Sequence, residues 1–192
     1  MAFDLICIGT SSGGFRALRT ILSSLDPSFE TPIVIVQHIG PRSDSTWIET
    51  LNEISPLKVQ EAEDKEPILP GHVYIAPPNY HLLVEQDKTL SLLVDEKVNF
   101  ARPSIDVLFE SVADTCGTKA IGIVLTGANS DGAKGLREIW ERGGIGVVQN
   151  PQTAETPAMP LAAIKESSTD HICDLEEIPK LLSSLALKNT QP

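Results

Sequence analysis

The run Leu5-Ile6-Cys7-Ile8, closed by Gly9, constrains the fold more than any other segment. Consecutive apolar residues leave no polar face, so a strand here (Asp4–Ile8) must be covered on both sides, as a central parallel strand between helix layers is. After the turn Thr10-Ser11-Ser12-Gly13-Gly14 the apolar spacing becomes helical. Phe15, Leu18, Ile21, Leu22 and Leu25 share one face, and Pro27 ends the element. A second strand is predicted over Pro32–Gln37, which makes the start of the chain a right-handed strand–helix–strand unit.

Downstream, Thr46-Trp47-Ile48-Glu49 has capping-box form at the start of a short helix, and Leu57–Ala62 alternates weakly as a third strand. Three β-rich runs follow, Val73–Ala76, His81–Glu85 and Thr89–Val94. The last two flank the polar turn Gln86-Asp87-Lys88, predicting an antiparallel hairpin inserted into or beside the main sheet. Ser104–Cys116 returns to helical spacing, with Val107, Leu108, Ser111 and Val112 as its stripe and Gly117 as its stop. Ala120–Leu125 and Ile145–Gln149 read as buried strands around a helix at Leu136–Arg142. The Pro-rich stretch to Pro160 reads as a loop, and Asp174-Leu175-Glu176-Glu177 caps a last helix to about Leu187, followed by a frayed tail, Lys188–Pro192. The expected fold is α/β: a doubly wound, mainly parallel sheet with an antiparallel hairpin, one domain across 1–192 with its core at about 4–187.

Composition narrows the function. A formal charge of -11 and only 5% aromatic residues argue against a nucleic-acid partner, which needs a basic patch and stacking surfaces. Cys7, Cys116 and Cys173 are odd in number and widely spaced, so neither a disulfide framework nor a structural zinc site is expected. The histidines lack tight metal-ligand spacing, so no metal and no cofactor is expected. The opening Met1-Ala2-Phe3-Asp4 does not read as a signal peptide, and no apolar run approaches the roughly 20 residues of a membrane span. A cytoplasmic protein that is not inserted in a membrane is expected.

In an open parallel sheet, ligands bind beyond the carboxyl ends of the strands, where strand order reverses. Three predicted strand ends carry reactive groups: Ser11 and Ser12 after the first, His38 after the second, and Asn129, Ser130 and Asp131 after Ala120–Leu125. Gly9-Thr10-Ser11-Ser12-Gly13-Gly14 lacks the glycine spacing of a dinucleotide fingerprint but suits a serine on a sharp strand-to-helix turn. The same residues also suit a plain helix-capping turn. A serine nucleophile needs a base, and His38 is one of four histidines; His72, His81 and His171 are the alternatives. Asp131 would orient the imidazole, although an Asp-Gly pair after a strand is also an ordinary turn.

Taken together, Gly9-Thr10-Ser11-Ser12-Gly13-Gly14, Val36-Gln37-His38-Ile39, Leu69 through Pro77, Arg102 through Phe109, and Gly122 through Gly127 resemble the catalytic domain of chemotaxis protein-glutamate methylesterases. Asp131-Gly132-Ala133, Gln149-Asn150 and Met159-Pro160 continue the resemblance, which covers roughly 4–175. It implies a serine hydrolase that demethylates glutamyl γ-methyl esters, and also deamidates glutamines, on the cytoplasmic helices of methyl-accepting chemoreceptors through an acyl-enzyme. It matches the nucleophile to Ser11, the base to His38 and the orienting carboxylate to Asp131. Backbone amides of Ser12 and Ala128 are the expected oxyanion donors.

Two departures stand out. The family's Gly-Met-Gly is Gly127-Ala128-Asn129 here, which puts asparagine, a residue tolerant of positive φ, in place of a glycine. Most members also carry an N-terminal receiver domain, whereas this chain opens almost directly on the first strand, so ungated activity is expected. Two other classes compete: a nucleotide-binding module, disfavoured by the glycine spacing and the lack of a P-loop lysine, and an inactive scaffold, disfavoured by the complete set of triad residue types.

Overall fold

The computed structural model describes residues 3–40 and 46–187. Its first strand, β1 (Leu5–Thr10), is buried along its whole length. Ile6 and Ile8 enter one core and Leu5 and Cys7 the other, so the doubly apolar run divides its side chains between two helix layers. The chain continues through α1 (Gly14–Leu22), β2 (Ile33–Gln37), α2 (Thr46–Ile54), β3 (Lys58–Glu61) and β4 (His72–Ile75). Then come β5 (His81–Val84), β6 (Leu90–Leu93), α3 (Ile105–Cys116), β7 (Ala120–Val124), α4 (Ala133–Glu141), β8 (Ile145–Gln149), α5 (Ala158–Glu166), β9 (His171–Cys173) and α6 (Ile178–Leu187).

Seven strands form one parallel sheet in the order β3-β4-β2-β1-β7-β8-β9. The first half of the chain builds outward on one side of β1 and the second half on the other, so strand order reverses between β1 and β7. At that seam Gly9 stands in register with Val36 of β2 and Val124 of β7. Helices α1, α2 and α6 pack on one face, and α3, α4 and α5 on the other. The β5–β6 hairpin is a separate antiparallel pair beside the main sheet, laid against α3.

The structure alters several expectations. The buried stripe of α3 is Ile105, Leu108, Phe109, Val112, Ala113 and Cys116 rather than one centred on Val107 and Ser111. Ser111 lies at the edge, where its hydroxyl accepts the Val84 amide of the hairpin at 3.0 Å. The Pro-rich stretch is not loop to Pro160: α5 begins at Ala158 with Pro157 as its N-cap. Prolines suit a first helical turn because the amides there have no intrahelical acceptor. Strand β9, at three residues with Ile172 half exposed, is too short to give a periodic signal. The tail Lys188–Pro192 lies outside the described residues.

Helices α3 and α4 approach closely because Gly135 has no side chain. A Cβ there would stand 2.5 Å from the Phe109 Cβ and 3.1 Å from the Asp106 Cα. This close contact brings the N-termini of the two helices together at the carboxyl edge of the sheet.

Candidate active site

Ser11 follows β1, and the sharp change of direction into α1 falls two residues later, at Gly13, whose φ of 80° and ψ of -2° are left-handed. A side chain there would be strained, which accounts for glycine at the helix N-cap. The turn is fixed from several sides. The Ser11 amide donates to the Thr126 carbonyl at 3.0 Å, and the Gly14 amide to the Ser11 carbonyl at 2.8 Å. The carboxamide of Gln37, the last residue of β2, donates through Nε2 to the carbonyls of both Ser11 and His38 at 2.9 Å. One buried side chain therefore ties the candidate nucleophile to the candidate base.

His38 leaves the end of β2 with its amide bonded to the Thr10 carbonyl at 3.0 Å. Its Nε2 lies 2.8 Å from Asp131 Oδ2, with the imidazole 13% exposed and the carboxylate fully buried. Asp131 is a hub of donors. Oδ2 also accepts the Ile105 amide at 2.7 Å, while Oδ1 accepts the Ser104 hydroxyl at 2.8 Å, Asn99 Nδ2 at 3.0 Å and the Asp106 amide at 3.1 Å. The Ile105 and Asp106 amides open α3 and have no acceptor within their own helix, so Asp131 caps α3 from across the fold.

The arrangement is reciprocal. Asp106, in the first turn of α3, accepts the amides of Gly132 at 2.9 Å and Gly135 at 2.8 Å where α4 begins. Burial pushes the Asp106 carboxyl up, the Gly135 amide counters it, and the nearby charge of Asp131 adds to the rise. Burial also works against the charge of Asp131, but the bonds from His38, the Ile105 amide, Asn99 and the Asp106 amide outweigh it. They hold this carboxyl below its ordinary value.

An ionised Asp131 only accepts, so Nε2 of a neutral His38 carries the proton and Nδ1 is the accepting nitrogen. The more familiar Ser-His-Asp geometry has the carboxylate on Nδ1; here it stands on Nε2. Nδ1 faces Asn129 Nδ2 at 3.3 Å. Asn129 itself is not among the residues with positive φ. It keeps ordinary backbone because its Oδ1 accepts the Asp131 amide at 3.1 Å, a side-chain turn that replaces the conformational work of a glycine.

Ser11, His38, Asn99, Phe100, Arg102 and Asn129 line one cleft of roughly 360 Å³ at the carboxyl edge of the sheet. Ser12 is not in that lining. The amides of Ser12 and Ala128 donate to no acceptor among the described residues, and both residues are exposed. The loop carrying Ala128 is held in place: Gly127 donates to Thr156 at 2.9 Å and receives the Met159 amide at 2.9 Å.

The other histidines are placed elsewhere or already used. His72 and His171 begin β4 and β9, at the opposite edge of the parallel sheet. His81 is buried, with Nε2 on the Glu96 carbonyl at 2.9 Å and Nδ1 accepting the Ser104 amide at 3.2 Å. With both nitrogens committed, it supports the Ser104 end of α3. Replacing His38 with glutamine is therefore expected to lower kcat by at least about 10³-fold with little change in stability. His81→Gln is expected to cost about 1–3 kcal/mol in urea unfolding, with a loss of kcat under about tenfold. The opposite pattern would make His81 the base.

Sequence reasoning missed Gln37, Asn99, Ser104 and Asp106. An acidic residue in a first helical turn reads as an ordinary complement to the helix dipole. Nothing local shows that its partner is another helix. Among the described residues no three His, Cys, Asp or Glu side chains are grouped to hold a metal ion, and no helix is long and apolar enough to cross a membrane.

The family model described as CheB methylesterase matches residues 6–182. The chain is 52% identical over 191 residues to a protein of Leptospira interrogans serogroup Icterohaemorrhagiae serovar copenhageni (strain Fiocruz L1-130) named, provisionally, protein-glutamate methylesterase/protein-glutamine glutaminase. That match spans 100% of this chain and 99% of the relative. It is 40% identical over 187 residues to the protein-glutamate methylesterase/protein-glutamine glutaminase of Hydrogenovibrio crunogenus, covering 96% of this chain and 50% of that protein. Its fold superposes on the crystal structure of the Thermotoga maritima CheB methylesterase catalytic domain with a TM-score of 0.91 at 34% identity, over 96% of this chain and 100% of that one.

Proposed function

The chain belongs to the CheB methylesterase family, and from that premise we propose that it hydrolyses glutamyl γ-methyl esters, and deamidates glutamines, on the cytoplasmic helices of chemoreceptors, with Ser11 as nucleophile, His38 as base and Asp131 as orienting carboxylate. The observation that carries the reading is the 2.8 Å pairing of His38 with a fully buried, five-donor Asp131, beside Ser11 in one cleft.

In the proposed reaction Nδ1 of His38 takes the Ser11 proton as Oγ attacks the ester carbonyl. The carbonyl oxygen gains charge, and the exposed amides of Ser12 and Ala128 are the donors that would meet it. The protonated imidazole then gives its proton to the departing methoxide, releasing methanol and leaving the glutamyl group on Ser11. Water, deprotonated by the same nitrogen, hydrolyses that ester and regenerates the hydroxyl. Asp131 remains ionised throughout and stabilises the imidazolium. With glutamine the leaving group is ammonia and the acyl-enzyme is the same. In this reading the Ser11 hydroxyl uses the same Nδ1 lone pair that Asn129 Nδ2 faces at 3.3 Å.

The test is methanol release from a methylated cytoplasmic receptor fragment by the purified chain, with glutamate appearing in equal amount. Absence of release by folded protein would withdraw the substrate assignment. Release of methanol from the fragment with no ammonia from its glutamine form would restrict the activity to esters.

A further inference from the structure

The otherwise largely polar cleft carries one exposed aromatic side chain that the chemistry above does not use. Phe100 is 98% exposed, the most exposed large apolar side chain among the described residues, and it lines the same cleft as Ser11 and His38. It sits at the tip of a tight turn in which Asn99 (φ 51°) and Phe100 (φ 62°) are both left-handed. Two consecutive non-glycine residues in that region are unfavourable and persist only where the surroundings over-determine them.

Here the surroundings do so. Val98 and Ala101 exchange backbone hydrogen bonds at 3.1 and 2.9 Å across the turn. Asn99 Nδ2 donates to Asp106 Oδ2 at 2.7 Å and to Asp131 Oδ1 at 3.0 Å. Arg102 closes the neck of the loop by donating to the Val94 and Asp95 carbonyls at 2.8 and 2.7 Å. The ring is thus held out by a rigid turn whose base is bonded to the carboxylate that orients His38. A loop serving only to connect β6 to α3 needs neither the strain nor the exposed phenyl.

Resting on the methylesterase reading, we propose that Phe100 is a docking residue for the substrate polypeptide, receiving an apolar side chain about one helical turn from the modified glutamate. Residues three or four apart on a helix are neighbours on one face, about 5–6 Å between Cβ atoms. A helix presenting its glutamyl ester to Ser11 lays its next side chains on that face along the cleft that Phe100 also lines. A preformed aromatic anchor gains its contact without ordering a flexible loop. The continuity of the ring with the reactive cleft favours the substrate polypeptide over a second copy of this chain as occupant. Asn99 acts as a positioning residue that fixes the anchor relative to the Asp131–His38 pair.

The experiment compares kcat/KM for methanol release from two substrates, a methylated cytoplasmic receptor fragment and N-acetylglutamate γ-methyl ester amide, with wild type, Phe100→Ala and Phe100→Leu. Circular dichroism and urea unfolding check the fold of each. The expected result is a loss for Phe100→Ala on the receptor fragment at least tenfold greater than its loss on the small ester, with most of that difference restored by Phe100→Leu. Equal losses on both substrates, or no loss on the fragment, would overturn the docking role. A wild-type dimer in sedimentation that Phe100→Ala dissociates would also overturn it, by assigning the ring to self-association. If folded wild type hydrolyses neither substrate, the methylesterase reading falls first and takes this proposal with it; hydrolysis of the small ester alone overturns the docking proposal and leaves the chemistry standing.

Discussion

Asp131→Asn is expected to lower kcat for methanol release on the order of 10³–10⁴-fold and to destabilise the fold by about 3–5 kcal/mol. Both effects follow from the five donors that meet this carboxylate. An amide has one accepting oxygen. If that oxygen takes the Oδ1 place, facing Ser104, Asn99 and the Asp106 amide, the NH₂ group faces the Ile105 amide and His38. The Ile105 amide then loses its acceptor, and His38 can pair only by accepting through Nε2, which moves its own proton to Nδ1. Nδ1 is then unable to take a proton from Ser11. The opposite flip preserves the tautomer but turns the NH₂ group toward three donors. Steady-state kinetics and urea unfolding of one variant check both halves. A variant as stable as wild type would mean that the mutual capping of α3 and α4 contributes little, and a rate loss under about tenfold would reduce Asp131 to a turn residue.

The same hub gives a pH dependence of stability. The folded value of Asp131 is depressed, so the stabilisation from its charge is fully present above the ordinary carboxylate value of about 3.9 and is lost as pH falls through the lower folded value. Asp106 is shifted the other way by burial, and its contribution has the opposite sign: its charge opposes folding at neutral pH, and the opposition is relieved as acid protonates it.

Much of this architecture was legible in the residues, for reasons that can be named. The run Leu5–Ile8 has no polar face, and only a strand covered on both sides accommodates that. The glycines after Ser11 predicted a sharp strand-to-helix turn, and Gly13 makes it. Strand ends carrying Ser11, His38 and Asp131 lie on one edge because a parallel sheet brings every carboxyl end to the same side. What was not legible depends on tertiary contact. The α3 stripe shifted because the hairpin covers its Ser111 edge, which local spacing does not encode. Helix α5 was hidden by prolines that its first turn tolerates. That Asp131 meets Nε2 of His38 rather than Nδ1 depends on the side from which it approaches the ring, a matter of how α3 and α4 meet. Asn129 kept ordinary backbone through a side-chain bond to the Asp131 amide rather than through positive φ.

On the proposed mechanism Ser11, and not the adjacent Ser12, forms the acyl-enzyme. Ser11 lies in the cleft with His38, while Ser12 points no side chain into that lining and is assigned only its backbone amide. Methanol release from a methylated receptor fragment, measured with wild type, Ser11→Ala and Ser12→Ala, tests this most directly. Without the hydroxyl no acyl-enzyme forms, and the expected loss for Ser11→Ala is at least about 10⁴-fold, or about 5.5 kcal/mol of transition-state stabilisation. Ser12→Ala keeps its amide and is expected to remain within about tenfold of wild type. Comparable activity in folded Ser11→Ala and wild type, or equal losses in the two variants, would remove Ser11 as the nucleophile.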